Sequence, residues 1–541
     1  MADFYIRSAT ALDRVLRDEC SVKAAASVHA DSGRVLALLI NALAYRSALL
    51  AALDAARVLK LEAKVFTILA PPPKSKNDKP KQKQKADKKE LKEVASAEAM
   101  CLVLCHDLLF QSRGIQASKT WPPKVALEKY RSSLHSALVK MQIRQGKARI
   151  QDLRSGALYH EMTARMPRWI RINSLRATRD EVLAWLAEHS YTQVETDGIG
   201  GVKEFAVSRH VQGLLAFHPK ATSALLQTEM YRDNWIVMQD LASCFPAYIL
   251  DPPADAQVVD ATSAPGNKTS HLSAIMFAKS SRRIGQSEGK VVAFERDAVR
   301  YKTLVKRLAA VGALAKDGTT GNVVPERRDF LTTNPTDFGE VTHMLLDPSC
   351  SGSGIVNRLD FLKEDDDVDE LEDTVAAETG ETKLQRRLRQ LGEFQLLMIR
   401  HAFKFPALRK VVYSTCSVHA QENESVVIRA LHSEEADKFG WRLAPRSEVI
   451  PTWPVRGDPD ACGEEKDVAE NVIRCIPGGK GEGDKPHVEA CNGFFVACFV
   501  KHAPTKRPLE EEQDAAPTGN SANRKKKLQK RRQKQRLAQQ A

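Results

Sequence analysis

Apolar positions divide this chain into three regimes. From the start to about residue 165 they recur at helical spacing. The run RVLALLINALAYRSALLAALDAARVLKLEAKVF has long apolar faces and no interior Pro or Gly, and so predicts consecutive helices. Pro71 to Glu90 breaks the period as a Pro/Lys-rich stretch and predicts a disordered insert. Helix is expected again from about Leu91 to about Tyr159, with interruptions near Trp121-Pro122-Pro123. Near Pro167 the character changes. PRWIRINSLRAT predicts a strand, TRDEVLAWLAEHS an amphipathic helix with Thr178 as its N-cap, and VKEFAV and WIVMQDLAS contain further strand-like pieces. From about Gln257 to Val500, short apolar runs alternate with helical stretches, as a mostly parallel sheet requires. The strand candidates are VVDA, KVVAFE, HMLLD, KVVYS and GFFVACFV. The last lies beyond the final helices and is expected as an antiparallel edge strand.

These regimes predict a helical N-terminal domain over 1–165 with a disordered insert at 71–90, and a small α+β module over 166–250. They predict an α/β catalytic domain over 251–503 and a disordered basic tail over 504–541. The fold class expected is α/β, a doubly wound, mostly parallel Rossmann-like sheet carrying the other two parts. No run of about 18 apolar residues appears, so no transmembrane helix is expected. The N-terminus has no secretory core. Ten cysteines lack a disulfide rhythm, which suits a reducing compartment. Cys101 and Cys105 fit one buried helix face.

Charge changes the picture through its location. Of the net +13, the run Arg524 to Arg536 contributes nine basic residues and no acid, and Pro71 to Glu90 adds eight lysines against three acids. Glu364 to Glu381 holds ten carboxylates, and the stretch 364–382 is expected as an acidic surface loop. Two polycationic arms supply phosphate affinity without sequence preference. The C-terminal run also predicts a nuclear or nucleolar address, with a general electrostatic arm as the alternative. Arg165, Arg168, Arg171 and Arg176 beside Trp169 are candidates for RNA contact, against the alternative of an ordinary solvated edge.

Candidate chemistry begins at VVDATSAPGNKTSHL. The strand ends at Asp260, and Ala261-Thr262-Ser263-Ala264-Pro265-Gly266 forms a small-residue turn that lets a ligand approach the backbone. A helix expected near Lys268 presents free N–H groups suited to a carboxylate. The spacing is neither the G-x-G-x-x-G dinucleotide fingerprint nor a P-loop. Glu295 closes the next strand, where an acid can accept from ribose hydroxyls. Asp329 stands past a third strand and could meet an adenine amino group.

Two cysteines then close apolar runs, Cys350 in MLLDPSCSGSG and Cys416 in VVYSTCSVHAQENE. In an open α/β sheet, ligands bind outside the carboxyl ends of the strands. Carbon 5 of cytosine is a poor nucleophile until a thiolate adds at carbon 6, so a cofactor loop followed by strand-end thiols points to cytosine carbon-5 methylation. Asp347 can hydrogen-bond the cytosine edge around nitrogen 3 and the amino group.

RWIRIN, VMQDLAS, DATSAPGNKTSHL, AFERD, RRDF, LLDPSCSGSG and YSTCS, in that order, resemble the Sun-domain family of RNA cytosine-5 methyltransferases. The resemblance implies S-adenosylmethionine as cofactor, held by Thr262, Ser263, Ala264, Pro265, Gly266, Asn267, Lys268 and Glu295. Arg300 and Asp347 occupy further binding positions of the family, and Asp329 approaches the adenine. It implies Cys416 as the nucleophile and Cys350 as an aid to product release. Pro-Ser-Cys in place of Pro-Pro-Cys, and Asn267 in place of a frequent Gly, resemble the branch acting on large-subunit ribosomal RNA. Ribosomal RNA or a pre-ribosomal particle is thus the expected partner. The same chemistry on transfer RNA, and an RNA-binding assembly factor with secondary catalysis, remain open at this point.

Overall fold

The computed structural model describes residues 2–17, 19–69, 93–154, 166–280, 289–315, 321–356, 382–479 and 489–501. The insert 71–90, Arg165, the acidic stretch apart from Thr382, and the tail 504–541 lie outside the described residues.

The N-terminal part packs helices α1 (Ala2–Leu16), α2 (Ser32–Ala44), α3 (Arg46–Ala55), α4 (Val58–Phe66), α5 (Ala97–Phe110), α6 (Pro122–Glu128) and α7 (Arg131–Arg144). Helix α5 is buried on every side from Ala99 to His106, so it reads as a central helix rather than a surface one. Cys101 and Cys105 lie in that core. One expectation fails here. Among the described residues helix resumes at Ala97, because Glu93–Ala95 forms β2, which pairs antiparallel with β1 (Ile68–Leu69), and Ser96 then caps α5.

The module that follows has β3 (Arg168–Ile172), helix α8 (Arg179–Glu188), β4 (Thr192–Gln193), β5 (Glu204–Val207), β6 (Leu214–Phe217) and β7 (Ile236–Met238), in sheet order β4-β5-β6-β3-β7. Thr178 caps α8 as expected: its hydroxyl accepts from the Glu181 N–H and the Glu181 carboxylate accepts from its own N–H, a reciprocal capping box. The expected RNA-facing set is corrected at two positions. β3 is an inner strand covered on both faces: Trp169 packs in the core shared with the large sheet, and Ile170 and Ile172 in the module's own core. Arg171 is 2% exposed and donates to Gln239 Oε1 at 2.8 Å and Ser270 Oγ at 3.0 Å. Trp169 is equally buried, with its indole N–H on the Ala490 carbonyl at 2.7 Å. Neither offers a surface to RNA. Glu489 reaches the same module, accepting from Ser208 Oγ, Thr196 Oγ1 and the Arg209 N–H.

The large sheet contains β8 (Gln257–Asp260), β9 (Lys290–Phe294), β10 (Val323–Glu326), β11 (Val341–Leu346), β12 (Lys410–Thr415), β13 (Trp441–Leu443), β14 (Ile473–Cys475) and β15 (Phe494–Lys501). Its order is β10-β9-β8-β11-β12-β15-β13, with β14 also on β15. The first five strands in that order run parallel, and β15 is antiparallel to β12. This is the doubly wound sheet expected from the sequence. β15 is antiparallel as expected but is no edge, since β13 and β14 pair with it beyond β12. Parallel strands covered on both faces read as continuous apolar runs. Met344, Leu345 and Leu346, and Val411, Val412 and Tyr413, are fully buried accordingly. Each such aliphatic side chain contributes roughly 1.5–3 kcal/mol.

Around the sheet stand α9 (Leu241–Leu250), α10 (Asn267–Lys279), α11 (Ala298–Ala310), α12 (Lys383–Ala402) and α13 (Glu424–Leu431). Strand order reverses between β8 and β11, so a crevice opens at their carboxyl ends.

Candidate active site

Parallel register sets the site. Leu345 lies opposite Asp260 on one side, and Leu346 opposite Tyr413 on the other. One step on, Asp347 and Ser414 stand side by side, and the Ser414 hydroxyl donates to Asp347 Oδ1 at 2.7 Å. Cys416 follows β12 directly. Cys350 returns to it through the Pro348-Ser349 turn, and the two Sγ atoms lie 3.0 Å apart. Neither thiol is in a disulfide. The hydrogen bond shared with Cys416, then burial, push the Cys350 thiol far above its ordinary range, so it stays protonated at neutral pH.

The loop after β8 is held from several directions. Asp260 is buried, accepts from the Thr269 hydroxyl at 2.7 Å, and is pushed up to about 6 by burial, against those hydrogen bonds. The Ser263 hydroxyl donates to the Phe294 carbonyl at 2.8 Å. Thr262 Oγ1 accepts from the Asp347 N–H at 3.1 Å, which ties the loop to the end of β11. Gly266 has φ +106°, and a Cβ there would meet Leu304 at 3.1 Å. A side chain would therefore be disfavoured by conformation and by space.

Lys268, on the first turn of α10, places Nζ 2.7 Å from Asp347 Oδ2 and 5.3 Å from the centre of the Phe494 ring. Burial alone would lower its pKa. The charge and hydrogen bond of Asp347, with a smaller contribution from the charge of Cys416, outweigh that, and the net shift is upward. The site thus holds a fixed cation beside the thiol pair.

A cavity of about 310 Å³ opens here. Of the residues expected at the site, it is lined by Thr262, Ala264, Glu295, Arg300, Asp329, Asp347, Cys350 and Cys416. Ser263, Pro265, Gly266, Asn267 and Lys268 do not line it. Ser263 is turned to β9, and Lys268 reaches the cavity through Asp347. Glu295 takes the Asp297 N–H on Oε1, while Arg300 donates to the Ala264 carbonyl at 3.0 Å and lies 3.4 Å from Glu295 Oε2. Asp329 is bound by the Leu331 N–H and by Arg296. Phe330, Phe394 and Met398 add an apolar wall, and Arg296 and Arg328 add charge at the rim. None of these five was singled out in the sequence. Phe394 and Met398 arrive on α12, far along the chain from either thiol motif. Asp329 sits in the quoted RRDF, so Arg328 and Phe330 were within sight of it. The acids at two strand ends, the apolar wall and the small-residue floor fit a nucleoside carrying an aliphatic charged arm. A second cavity, about 230 Å³, lies between β3, β7 and Asn492; it contains none of the expected cofactor or catalytic residues, but Arg168 and Trp169 of the candidate RNA-contact set line it.

Residues 247–446 match the family described as 16S rRNA methyltransferase RsmB/F, and residues 34–154 match the N-terminal domain of NOL1/NOP2/Sun domain family member 5. The chain is 36% identical over 404 residues to a 25S rRNA (cytosine-C(5))-methyltransferase, rcm1, of Schizosaccharomyces pombe, covering 74% of this chain and 76% of that protein. It is 31% identical over 436 residues to a 28S rRNA (cytosine-C(5))-methyltransferase of Mus musculus, covering 79% and 82% respectively. Among solved structures, that of PH0851 superposes with a TM-score of 0.51 at 18% identity, over 92% of this chain and 98% of the other, a likeness of fold.

Proposed function

This chain belongs to the Sun-domain family of RNA cytosine-5 methyltransferases, and on that footing we propose that it forms 5-methylcytosine in large-subunit ribosomal RNA, using S-adenosylmethionine. The observation that carries this reading is the thiol pair, 3.0 Å apart, on the wall of the cavity that also presents Glu295 and Asp329. Glu295 offers acceptor capacity to ribose hydroxyls. Asp329 offers it to an adenine amino group, against the face of Phe330 and Met398. S-adenosylmethionine would supply an electrophilic methyl carbon there, its sulfur keeping the C–S electron pair and leaving as the thioether S-adenosylhomocysteine.

Cys416 adds to carbon 6 of a cytosine extruded from its stack, because a stacked base admits neither thiol nor methyl donor. Asp347 keeps lone pairs beyond its bonds to Lys268 and Ser414, and it accepts from the cytosine amino group. Lys268 holds that carboxylate in place. Once carbon 5 has taken the methyl group, its proton passes to solvent water. The C–H electron pair re-forms the 5,6 double bond, and Cys416 leaves as thiolate. The protonated Cys350 donates to the departing sulfur, which makes it a better leaving group. Nucleolar residence, with the C-terminal basic run as address, accompanies a ribosomal substrate.

The test is bisulfite sequencing of large-subunit ribosomal RNA and transfer RNA from cells carrying only Cys416→Ala. Loss of one protected ribosomal cytosine is expected. Loss confined to transfer RNA would overturn the substrate, and no loss in any RNA would overturn the reaction.

A further inference from the structure

Each thiol is flanked by residues hydrogen-bonded to buried side chains, and these bonds meet in adjacent residues of one buried turn. Glu422 and Asn423 are both fully buried. Glu422 Oε1 accepts from the N–H of Ser351 at 2.9 Å, and from Gln395 Nε2 at 3.0 Å. The same Gln395 amide donates to the carbonyl of Ser349 at 3.1 Å. Both neighbours of Cys350 are thereby fixed. Asn423 does the same for Cys416. Its Oδ1 accepts from the Thr415 hydroxyl at 2.6 Å, and its Nδ2 donates to the Ser417 carbonyl at 3.0 Å. Tyr413 closes the arrangement, its hydroxyl donating to the Glu422 carbonyl at 2.6 Å and lying 3.1 Å from Gln395 Oε1.

Two features set this apart from ordinary packing. Glu422 Oε2 is buried with no partner among the described residues, a cost of about 1–3 kcal/mol that an apolar residue would avoid. Gly392 lets α12 approach so closely that a Cβ there would lie 2.8 Å from the Gln421 carbonyl oxygen. That approach brings Gln395, one turn on, into reach of Glu422.

We propose that Glu422 with Gln395, and Asn423, are positioning residues with different chief roles, the first pair serving Cys350 and product release, the last serving Cys416 and attack, although the two loops also touch through Ser351 and Ser417. This rests on the roles given to the two thiols above. The thiols sit on loops from neighbouring strands, and a displacement of an ångström is enough to cost a catalytic step about 100-fold.

Full-length wild type, Gln395→Leu, Glu422→Leu, Glu422→Gln, Asn423→Ala and Gly392→Ala are compared with S-adenosylmethionine and a transcript of large-subunit ribosomal RNA. Single-turnover methyl transfer, RNA-linked protein surviving denaturation, and alkylation of each thiol by iodoacetamide are measured. Gln395→Leu and Glu422→Leu are expected to raise the linked fraction about tenfold, with transfer changed little. Gly392→Ala, which removes no hydrogen-bonding group, is expected to do the same. Asn423→Ala is expected to slow transfer about 100-fold without raising the linked fraction. Glu422→Gln keeps an acceptor for Ser351 and is expected to behave as wild type. Variants that lose transfer and release in equal proportion would overturn the division of labour. Alkylation separates the two readings. If wild type methylates no cytosine, the functional reading fails. The clamp fails by itself if Glu422→Leu leaves alkylation of Cys350 unchanged, or if Asn423→Ala leaves that of Cys416 unchanged.

Discussion

Replacing Lys268 by Met removes one ammonium while keeping a side chain of similar reach. Lys268 and Asp347 are 2.7 Å apart with side chains 14% and 28% exposed. Breaking a fully buried pair costs roughly 3–5 kcal/mol because the surviving charge is stranded. Partial exposure of both groups and the remaining Ser414 hydrogen bond reduce that to about 2 kcal/mol. Lys268→Met should therefore lower Tm by roughly 4–8 °C at neutral pH, on the scaling for units of 150–250 residues. Catalysis should suffer more. An electrostatic contact aimed at a reacting group is typically worth about 10²–10³ in rate, and here the ammonium positions Asp347 and interacts with the charge of Cys416. The assay pairs thermal unfolding with single-turnover transfer to ribosomal RNA, and with iodoacetamide alkylation of Cys416, which should slow. A Lys268→Met protein melting within about 1 °C of wild type and transferring methyl at the wild-type rate would refute the reasoning, since the ion pair would then contribute neither stability nor rate.

Cys350 and His343 carry two further expected outcomes. Cys350→Ala removes the donor to the departing sulfur, so RNA-linked protein should accumulate while the first methyl transfer proceeds, as read on a denaturing gel; an unlinked Cys350→Ala protein turning over normally would contradict the role. His343, on β11, is held down to about 4 by burial and then by the nearby cations Lys410, Lys279 and Arg409. Its folded pKa lies below the unfolded 6.5, so the stability it contributes is full above pH 6.5 and is lost as pH falls from there to about 4, by about 3 kcal/mol. Comparing His343→Gln with wild type cancels the other titrating groups: the variant's relative stability should improve between pH 7 and pH 4, and an unchanged difference would count against it.

Much of the catalytic sheet was legible in the sequence because parallel strands covered on both faces leave an unmistakable trace, as in MLLD and VVYS. The strand-end placement of Cys350 and Cys416 follows from that trace and from the reversal in strand order. Thr178 was legible for a local reason, its reciprocal bonds with Glu181 three residues away. What escaped depends on long-range register. Arg171 and Trp169 look like a basic, aromatic surface until β3 is found between β6 and β7, where either face is interior. β15 looks terminal until β13 and β14 close on it. Phe394, Gln395 and Met398 reach the site on α12, and no spacing rule ties a helix face to a thiol loop on another strand. Glu422 and Asn423 lay in full view beside Cys416, but their two targets are identified only by the fold.

The small module between β3 and β7 does not sit on the catalytic sheet as a detachable bead. Arg171 spends its guanidinium on Gln239 within the module and on Ser270 of α10, Asn173 donates to the Val311 carbonyl at the end of α11, and Glu489 gathers three donors from the module just before β15. Cutting at the module's borders would strip the Arg171 guanidinium of Ser270 and the Glu489 carboxylate of all three donors. Domain shuffling therefore offers poor routes to a new substrate for this scaffold. Change within the module would have to come through its exposed side chains and loops, residue by residue, with the joint to the methyltransferase sheet inherited whole.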